Sequence, residues 1–333
     1  MELCLAGTGV QRGLDIGMNF RQFFIRRLLY VIPTMFLVTV MVFSILQLIP
    51  GDPVDAMLED TADEEMRLII IQQYGFDKPI LVQYGIWLGK VLQGDLGQSV
   101  LHARPVSQIV GDALPRTVYL ALGGMAFALL FSFPLGIIAA VKRKSIIDYI
   151  AQVTALIGLS LPAFWAALMA MLYFGLILRW FPVVGYTAPS ESLPGFFHHL
   201  FLPAFTLGIE MTGVLTRMTR STMLEELNKD YVQTHRSQGL ANVEIVGRFT
   251  LKNAMIPTLT ITSIRFAALL GGTVVIEQVF SWPGIGLMIY DGIMTKDYPV
   301  VQGGIIILSS SFIMINLIVD ILYKWLDPRI KLE

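Results

Sequence analysis

The stretch VYLALGGMAFALLFSFPLGIIAAV, running from Val118 to Val141, contains no charged residue. A helix needs about 20 predominantly apolar residues to cross roughly 30 Å of hydrocarbon. The segment meets that requirement and reads as a membrane span. The composition of the whole chain agrees with it: 55% of the 333 residues are hydrophobic, 15% are charged, and the mean hydropathy is +0.66. A soluble domain carries about 25% charged residues. The deficit points to lipid.

Working outward from that segment, Leu28 to Leu48 and Tyr149 to Leu178 are likewise uncharged, and Val300 to Val319 is a further clear run. The stretch from Tyr149 is long enough that it must tilt or extend beyond the bilayer. Two weaker runs complete the set: Leu200 to Leu215 contains Glu210, and Met255 to Phe280 contains Arg265 and Glu277. The expected fold is therefore an all-α integral membrane protein with six transmembrane helices.

Orientation follows from Lys and Arg, which accumulate in cytoplasmic segments. With both termini cytoplasmic, sixteen of the 24 basic residues fall inside. These are Arg12, Arg21, Arg26, Arg27, Lys142, Arg143, Lys144, Arg217, Arg220, Lys229, Arg236, Arg248, Lys252, Lys324, Arg329 and Lys331. The opposite orientation inverts the bias. The resulting organisation is an N-terminal tail (1–20), a first transmembrane helix (21–49), an extracytoplasmic cap (50–112), a transmembrane domain (113–323) and a cytoplasmic C-terminus (324–333). Inside the transmembrane domain, residues 217–254 carry too many charges to span and enough helical periodicity to fold at the membrane surface. They read as two or three short helices broken at Gly239. No cleavable signal peptide is visible, and Met18 competes with Met1 as the start.

Several chemistries lack their residues. No Gly-x4-Gly-Lys-Ser/Thr sequence is present to cradle ATP phosphates, and no Gly-x-Ser-x-Gly or His-Glu-x-x-His motif occurs. The single cysteine, Cys4, has no internal disulfide partner, and no Cys/His spacing suits zinc. His198 and His199 are adjacent, so on a helix they diverge by about 100° and rarely chelate one ion. A net charge of −1 gives no attraction to nucleic acid. No metal, cofactor or bond chemistry is expected in this chain.

The segment Tyr231-Val-Gln-Thr234-His235-Arg236-Ser-Gln-Gly239-Leu240, followed by Leu251-Lys-Asn253-Ala254, resembles the "EAA" loop of bacterial ABC importer permeases. The likeness is to the dipeptide, oligopeptide and nickel B-type branch. Other matches follow in order along the chain from Arg26. They include Ile49-Pro50-Gly51-Asp52-Pro53, Gly94-Asp95-Leu96-Gly97-Gln98-Ser99, Phe280-Ser281-Trp282-Pro283-Gly284-Ile285-Gly286, Asp297-Tyr298-Pro299 and Asp327-Pro328-Arg329. Most of these are turn chemistries that end helices at the membrane boundary. The branch usually has Thr-Ala-Arg-Ala-Lys-Gly where this chain has Thr-His-Arg-Ser-Gln-Gly at positions 234 to 239. His235 and Gln238 are the departures that bear on contacts.

The resemblance implies a coupling helix that docks in a groove of an ATPase subunit, using Tyr231, Thr234, His235, Arg236, Gly239, Leu240 and Asn253. It also implies a second permease subunit as heterodimer partner, two ATP-binding subunits that hold ATP and Mg, an extracytoplasmic solute-binding protein, and the bacterial inner membrane as location. The implied work is alternating access, carrying peptides, glutathione or a nickel chelate. Gly239 is the expected left-handed residue that ends the coupling helix.

Charges within spans are costly in hydrocarbon and mark functional candidates. Glu210 lies about 10 Å, and Arg265 about 12 Å, in from the cytoplasmic side at roughly 1.5 Å per residue. At matching depth they either pair between spans or line a translocation pathway. Glu277, near the outer end of its span, either faces the outer vestibule or caps a local turn. Gly271-Gly272 permits close approach of another helix, within this subunit or from a second one. A secondary transporter, which works without an ATPase, and a structural membrane subunit are the other classes open to such a chain.

Overall fold

The structure, a computed structural model, describes residues 20–47, 77–99 and 101–326, with Leu68 and Ile71. The tail through Arg12, Ile49 to Pro53, most of the cap including its acidic patch, and Asp327-Pro328-Arg329 lie outside the described residues. Among the described residues the chain is helical, apart from an isolated bridge between Gln98 and Pro105.

Eleven α-helical segments lie wholly among the described residues, in order: α1 (Phe20–Gln47), α2 (Ile80–Leu92), α3 (Val106–Val141), α4 (Ile146–Ser160), α5 (Ala163–Ala170), α6 (Leu193–Leu227), α7 (Asp230–Ser237), α8 (Asn242–Glu244), α9 (Leu251–Phe280), α10 (Ile285–Met294) and α11 (Tyr298–Leu326). A π-helical stretch, Met171–Ile177, continues α5, and a second, Ile245–Thr250, joins α8 to α9. By length and composition, α3, α6 and residues Tyr298–Ile318 of α11 can each cross a membrane alone.

The stretch from Tyr149, expected as one run that tilts or extends beyond the bilayer, is instead two helices, α4 and the α5 segment, bent by 105° at the break between them. Pro162 supplies the cause. It lacks an N–H, and its ring pushes the preceding residue out of the helical region. Leu161 accordingly sits at φ −80°, ψ 125°.

The core forms where α6 meets α3, α4 and α9. Small residues set these crossings, because membrane helices gain by bringing backbones close. A Cβ on Gly213 of α6 would lie 2.5 Å from the Ala155 carbonyl of α4, and one on Gly158 of α4 would lie 2.9 Å from the Ile209 carbonyl. On the other side, a Cβ on Gly208 would meet the Gly124 carbonyl of α3 at 3.0 Å. Near the end of α9, Leu120, Phe196, Leu202, Ile276, Phe280 and Trp282 fill the space between α3, α6 and α9.

Two of the sequence motifs turn out to meet in space. Ser99, closing the Gly94 to Ser99 turn, donates its hydroxyl to Asp297, which also receives the Leu101 N–H at 3.4 Å. This ties the hairpin-like segment before α3 to the start of α11. Turn chemistry that looked local is a long-range clasp.

Candidate functional site

The segment between α6 and α9 is organised around the end of α6. Glu226 accepts hydrogen bonds from Lys229 Nζ and, at 2.9 Å, from the Tyr231 hydroxyl. The carboxylate holds the Lys229 ammonium above its ordinary pKa. These bonds fix the turn by which the chain enters α7, and Val232 anchors the helix with a fully buried side chain. Thr234 Oγ1 donates to the Asp230 carbonyl at 3.1 Å.

The helix ends at Gly239, whose φ of +81° is left-handed. Its N–H bonds the Arg236 carbonyl at 3.0 Å, while the Leu240 N–H reaches the His235 carbonyl at 3.2 Å. This pair of bonds is the Schellman arrangement, in which a glycine satisfies helix-end carbonyls. A Cβ at Gly239 would meet nothing within 4 Å, so backbone conformation alone requires glycine there.

Two of the three departures from the usual branch sequence, His235 and Gln238, contact one another. His235 packs on Phe249 with ring centroids 4.2 Å apart, and its Nδ1 lies 3.4 Å from the Gln238 Oε1. His235 thus braces α7 against the π-helical stretch. Thr234, Arg236 and Asn253 are exposed, and Leu240 is half-buried. Behind the segment, Ala140 of α3, Met223 of α6 and Ala254 of α9 form a buried cluster with Leu227 and Val246 packed on it. α7 touches the π-helical stretch through His235 and Phe249, and Val246 of that stretch packs on the cluster.

Glu210 and Arg265 both line a cavity of about 160 Å³ between Ala163 of α5, α6 and α9. No ion pair joins them among the described residues, and both side chains are exposed. The structure thus brings them to one cavity wall from neighbouring helices. The cavity is bounded further by Thr206, Met211, Val214 and Leu269.

Glu277 is fully buried. It accepts from Thr117 Oγ1 at 2.8 Å and from the Leu287 N–H at 3.0 Å, and the same Thr117 oxygen accepts the Ile285 N–H at 2.8 Å. A carboxylate at the start of α10 satisfies amides that have no partner within the helix. The geometry is that of a turn cap. It also explains the glycines at 284 and 286, because a Cβ at either would run into the Glu277 carboxylate. Trp282 is sealed between them, its indole N–H donating to the Arg116 carbonyl at 2.9 Å. Glu277→Gln keeps the size but turns an N–H toward a donor. It is expected to cost about 2 kcal/mol, read as a lower midpoint of unfolding in detergent.

One constellation had no role in the sequence reading. Arg220 of α6 makes two bonds to Asp148 of α4, Nε to Oδ1 at 2.6 Å and Nη2 to Oδ2 at 2.8 Å. Asp148 also accepts the Lys144 N–H and the Gln152 amide, both at 2.9 Å. The carboxylate is almost entirely buried. Its sequence signals, the last charge before the uncharged stretch from Tyr149 and the Ser145-x-x-Asp148 spacing of a helix start, are local and do not point to Arg220. The adjacent histidines are spent on backbone: His198 Nε2 bonds the Trp180 carbonyl at 2.7 Å, and His199 Nδ1 the Gly195 carbonyl at 2.9 Å.

The chain is thus a bundle of long apolar helices that carries a short, glycine-ended helix between α6 and α9. Residues 132–332 match the family described as binding-protein-dependent transport system inner membrane component, and residues 20–121 match the family's N-terminal membrane component. The chain belongs to this family of ABC importer permeases. It is 39% identical over 309 residues to a putative peptide transport system permease protein of Brucella abortus, covering 93% of this chain and 98% of that one. Against the glutathione transport system permease protein GsiC of Salmonella typhimurium the identity is 38%, over 92% and 98% of the two chains.

Among solved structures, an inward-facing MetNI methionine ABC transporter matches with a TM-score of 0.55 at 15% identity, over 66% of this chain and 97% of that one. An amino acid ABC transporter solved with histidines matches with a TM-score of 0.50 at 13% identity, over 67% and 95%. These likenesses concern the fold. Family membership makes the chain an inner-membrane transport component without an ATPase site of its own.

Proposed function

We propose that this chain is one of two permease subunits in an ATP-driven importer that carries short peptides, or glutathione, inward by alternating access. In this reading six spans cross the membrane with both termini cytoplasmic. The part of the chain before α3 forms an extracytoplasmic cap, and α7 is the coupling helix seated on one of two ATPase subunits. A solute-binding protein delivers substrate from the other side. The names of the relatives support peptides and glutathione as substrates.

The mechanism follows from stiffness. ATP-driven closure of the ATPases moves α7. Its fixed entry at Glu226, its buried Val232 and its glycine stop let it move as a unit rather than bend. The motion passes through the Ala140, Met223 and Ala254 cluster into α3, α6 and α9, and so tilts the walls of the Glu210 and Arg265 cavity. Opposite charges left unpaired in that cavity suit a pathway for zwitterionic solutes, since each can be offset in turn by a passing ligand group. The exposed Arg236, held on a rigid helix with its tip free, carries this reading.

Arg236→Glu combined with Gly239→Val is expected to remove the ATPase subunits from the purified complex and to abolish ATP-dependent uptake. The left-handed φ opposes valine, and the reversed charge opposes docking. Copurification and uptake in proteoliposomes test it. ATPase retained at the wild-type ratio, or uptake by the permease pair without any ATPase, overturns the proposal in favour of a secondary transporter.

A further inference from the structure

We infer that a pocket between α3 and α10, on the face read above as extracytoplasmic, binds a zwitterionic ligand of dipeptide size before it enters the membrane pathway. The cavity measures about 490 Å³, within the range of roughly 300–1,000 Å³ typical of small-molecule sites. The inference rests on the permease reading, and it adds a place where the importer itself holds its substrate.

The charges on the wall sort into spent and unspent groups. Arg104 and Asp112 neutralise one another at 3.2 Å, and Asp297 is engaged by Ser99 and by the Leu101 amide. Two groups remain. Asp291, on α10, has no hydrogen-bond or ion-pair partner for its carboxylate among the described residues, and burial pushes that carboxyl above its ordinary pKa. Arg116, near the outer end of α3, donates Nη1 to the Pro283 carbonyl at 3.3 Å and lies over the Tyr186 ring at 5.2 Å. No carboxylate pairs with it among the described residues.

An anion and a cation without ionic partners thus share one pocket, with Ile109, Leu287 and Met288 supplying apolar wall. A guanidinium with free N–H groups takes a carboxylate in fork geometry. An exposed carboxylate without a counter-ion, as Asp291 is, is open to an ammonium. The apolar wall accommodates a side chain. An amine, a carboxylate and an apolar group on one small molecule describe a dipeptide, and glutathione carries the same two charged ends.

The test uses the assembled importer, both permeases with their ATPases, in nanodiscs without the binding protein. Tritiated glycyl-leucine and tritiated glutathione serve as probes in a scintillation proximity assay. Wild type is expected to bind at least one of them, and Asp291→Asn to bind it at least about tenfold more weakly, the loss expected for a charge-assisted hydrogen bond. Asp291→Glu is expected to retain binding, and N-acetylation of the dipeptide to weaken it as the Asn variant does. Size-exclusion profiles of the complexes establish that each variant assembles.

Binding of neither probe overturns the inference, as does equal binding by wild type and Asp291→Asn. So does loss of binding-protein docking in Asp291→Asn with probe binding unchanged, which would make the pocket a protein-docking surface. Any of these outcomes leaves the permease reading standing if ATP-dependent uptake with the binding protein persists. Loss of the ATPases on purification of the wild type sinks that reading instead.

Discussion

Gly213→Val is expected to leave little or no folded subunit in the membrane. The Cβ alone would stand 2.5 Å from the Ala155 carbonyl and 3.0 Å from Leu159 Cγ. The first obstacle is backbone, so relief requires α4 to move away from α6 as a body. On the other side of the same crossing, Gly158 faces the Ile209 carbonyl at 2.9 Å, so separating the helices breaks a reciprocal contact. Overpacking of this kind costs about 3 kcal/mol or more. Gly111→Val, at a position where a Cβ meets nothing within 4 Å, is the matched control and is expected to be accepted. Detergent-extracted yield and the midpoint of unfolding in SDS measure the difference. Equal yields for the two variants would show that the α4–α6 contact is not the one described.

The second large effect is expected at the start of α4, where it meets α6 again. Asp148→Ala removes the carboxylate that holds Arg220 by two bonds and leaves the guanidinium, the Lys144 N–H and the Gln152 amide without their common acceptor. Breaking a buried ion pair from one side costs about 3–5 kcal/mol. Arg220 keeps 21% of its side-chain surface exposed, so water recovers part of this and the lower end applies. The double variant Asp148→Leu with Arg220→Met is expected to regain most of the stability, because it removes both charges rather than stranding one. It is not expected to regain transport. The clasp joins the start of α4 to α6 seven residues before Leu227, where α6 ends ahead of α7, and apolar packing does not reproduce its directional hold. Uptake equal to wild type in the double variant would reduce the clasp to a purely stabilising contact.

The ordered matches along the chain, from Arg26-Arg27-Leu28 to Asp327-Pro328-Arg329, carry the family assignment, although each motif alone is ordinary turn chemistry. Gly239 was readable because a left-handed helix end leaves a strong residue preference. The role of Glu277 was only half readable: its place near a turn was visible, but the Thr117 that completes its cap lies 160 residues away. Asp148 was not readable as a clasp, since its partner is 72 residues distant and the intervening chain gives no sign of the approach.

Composition and the uncharged runs by themselves determined that this protein lives in lipid and is built of helices, because hydrocarbon tolerates few charges and demands internal backbone bonding. They also placed the stop at Gly239, since that residue restricts its own backbone, whereas the break at Pro162 came only from the structure, the uncharged stretch from Tyr149 having read as one span. Which residues lie beside one another was decided only by the tertiary structure. The Ser99 and Asp297 contact, the Arg220 and Asp148 pair, and the unspent charges of Arg116 and Asp291 all depend on how helices cross. Crossings are set by small residues meeting across the bundle, and sequence separation carries no record of that.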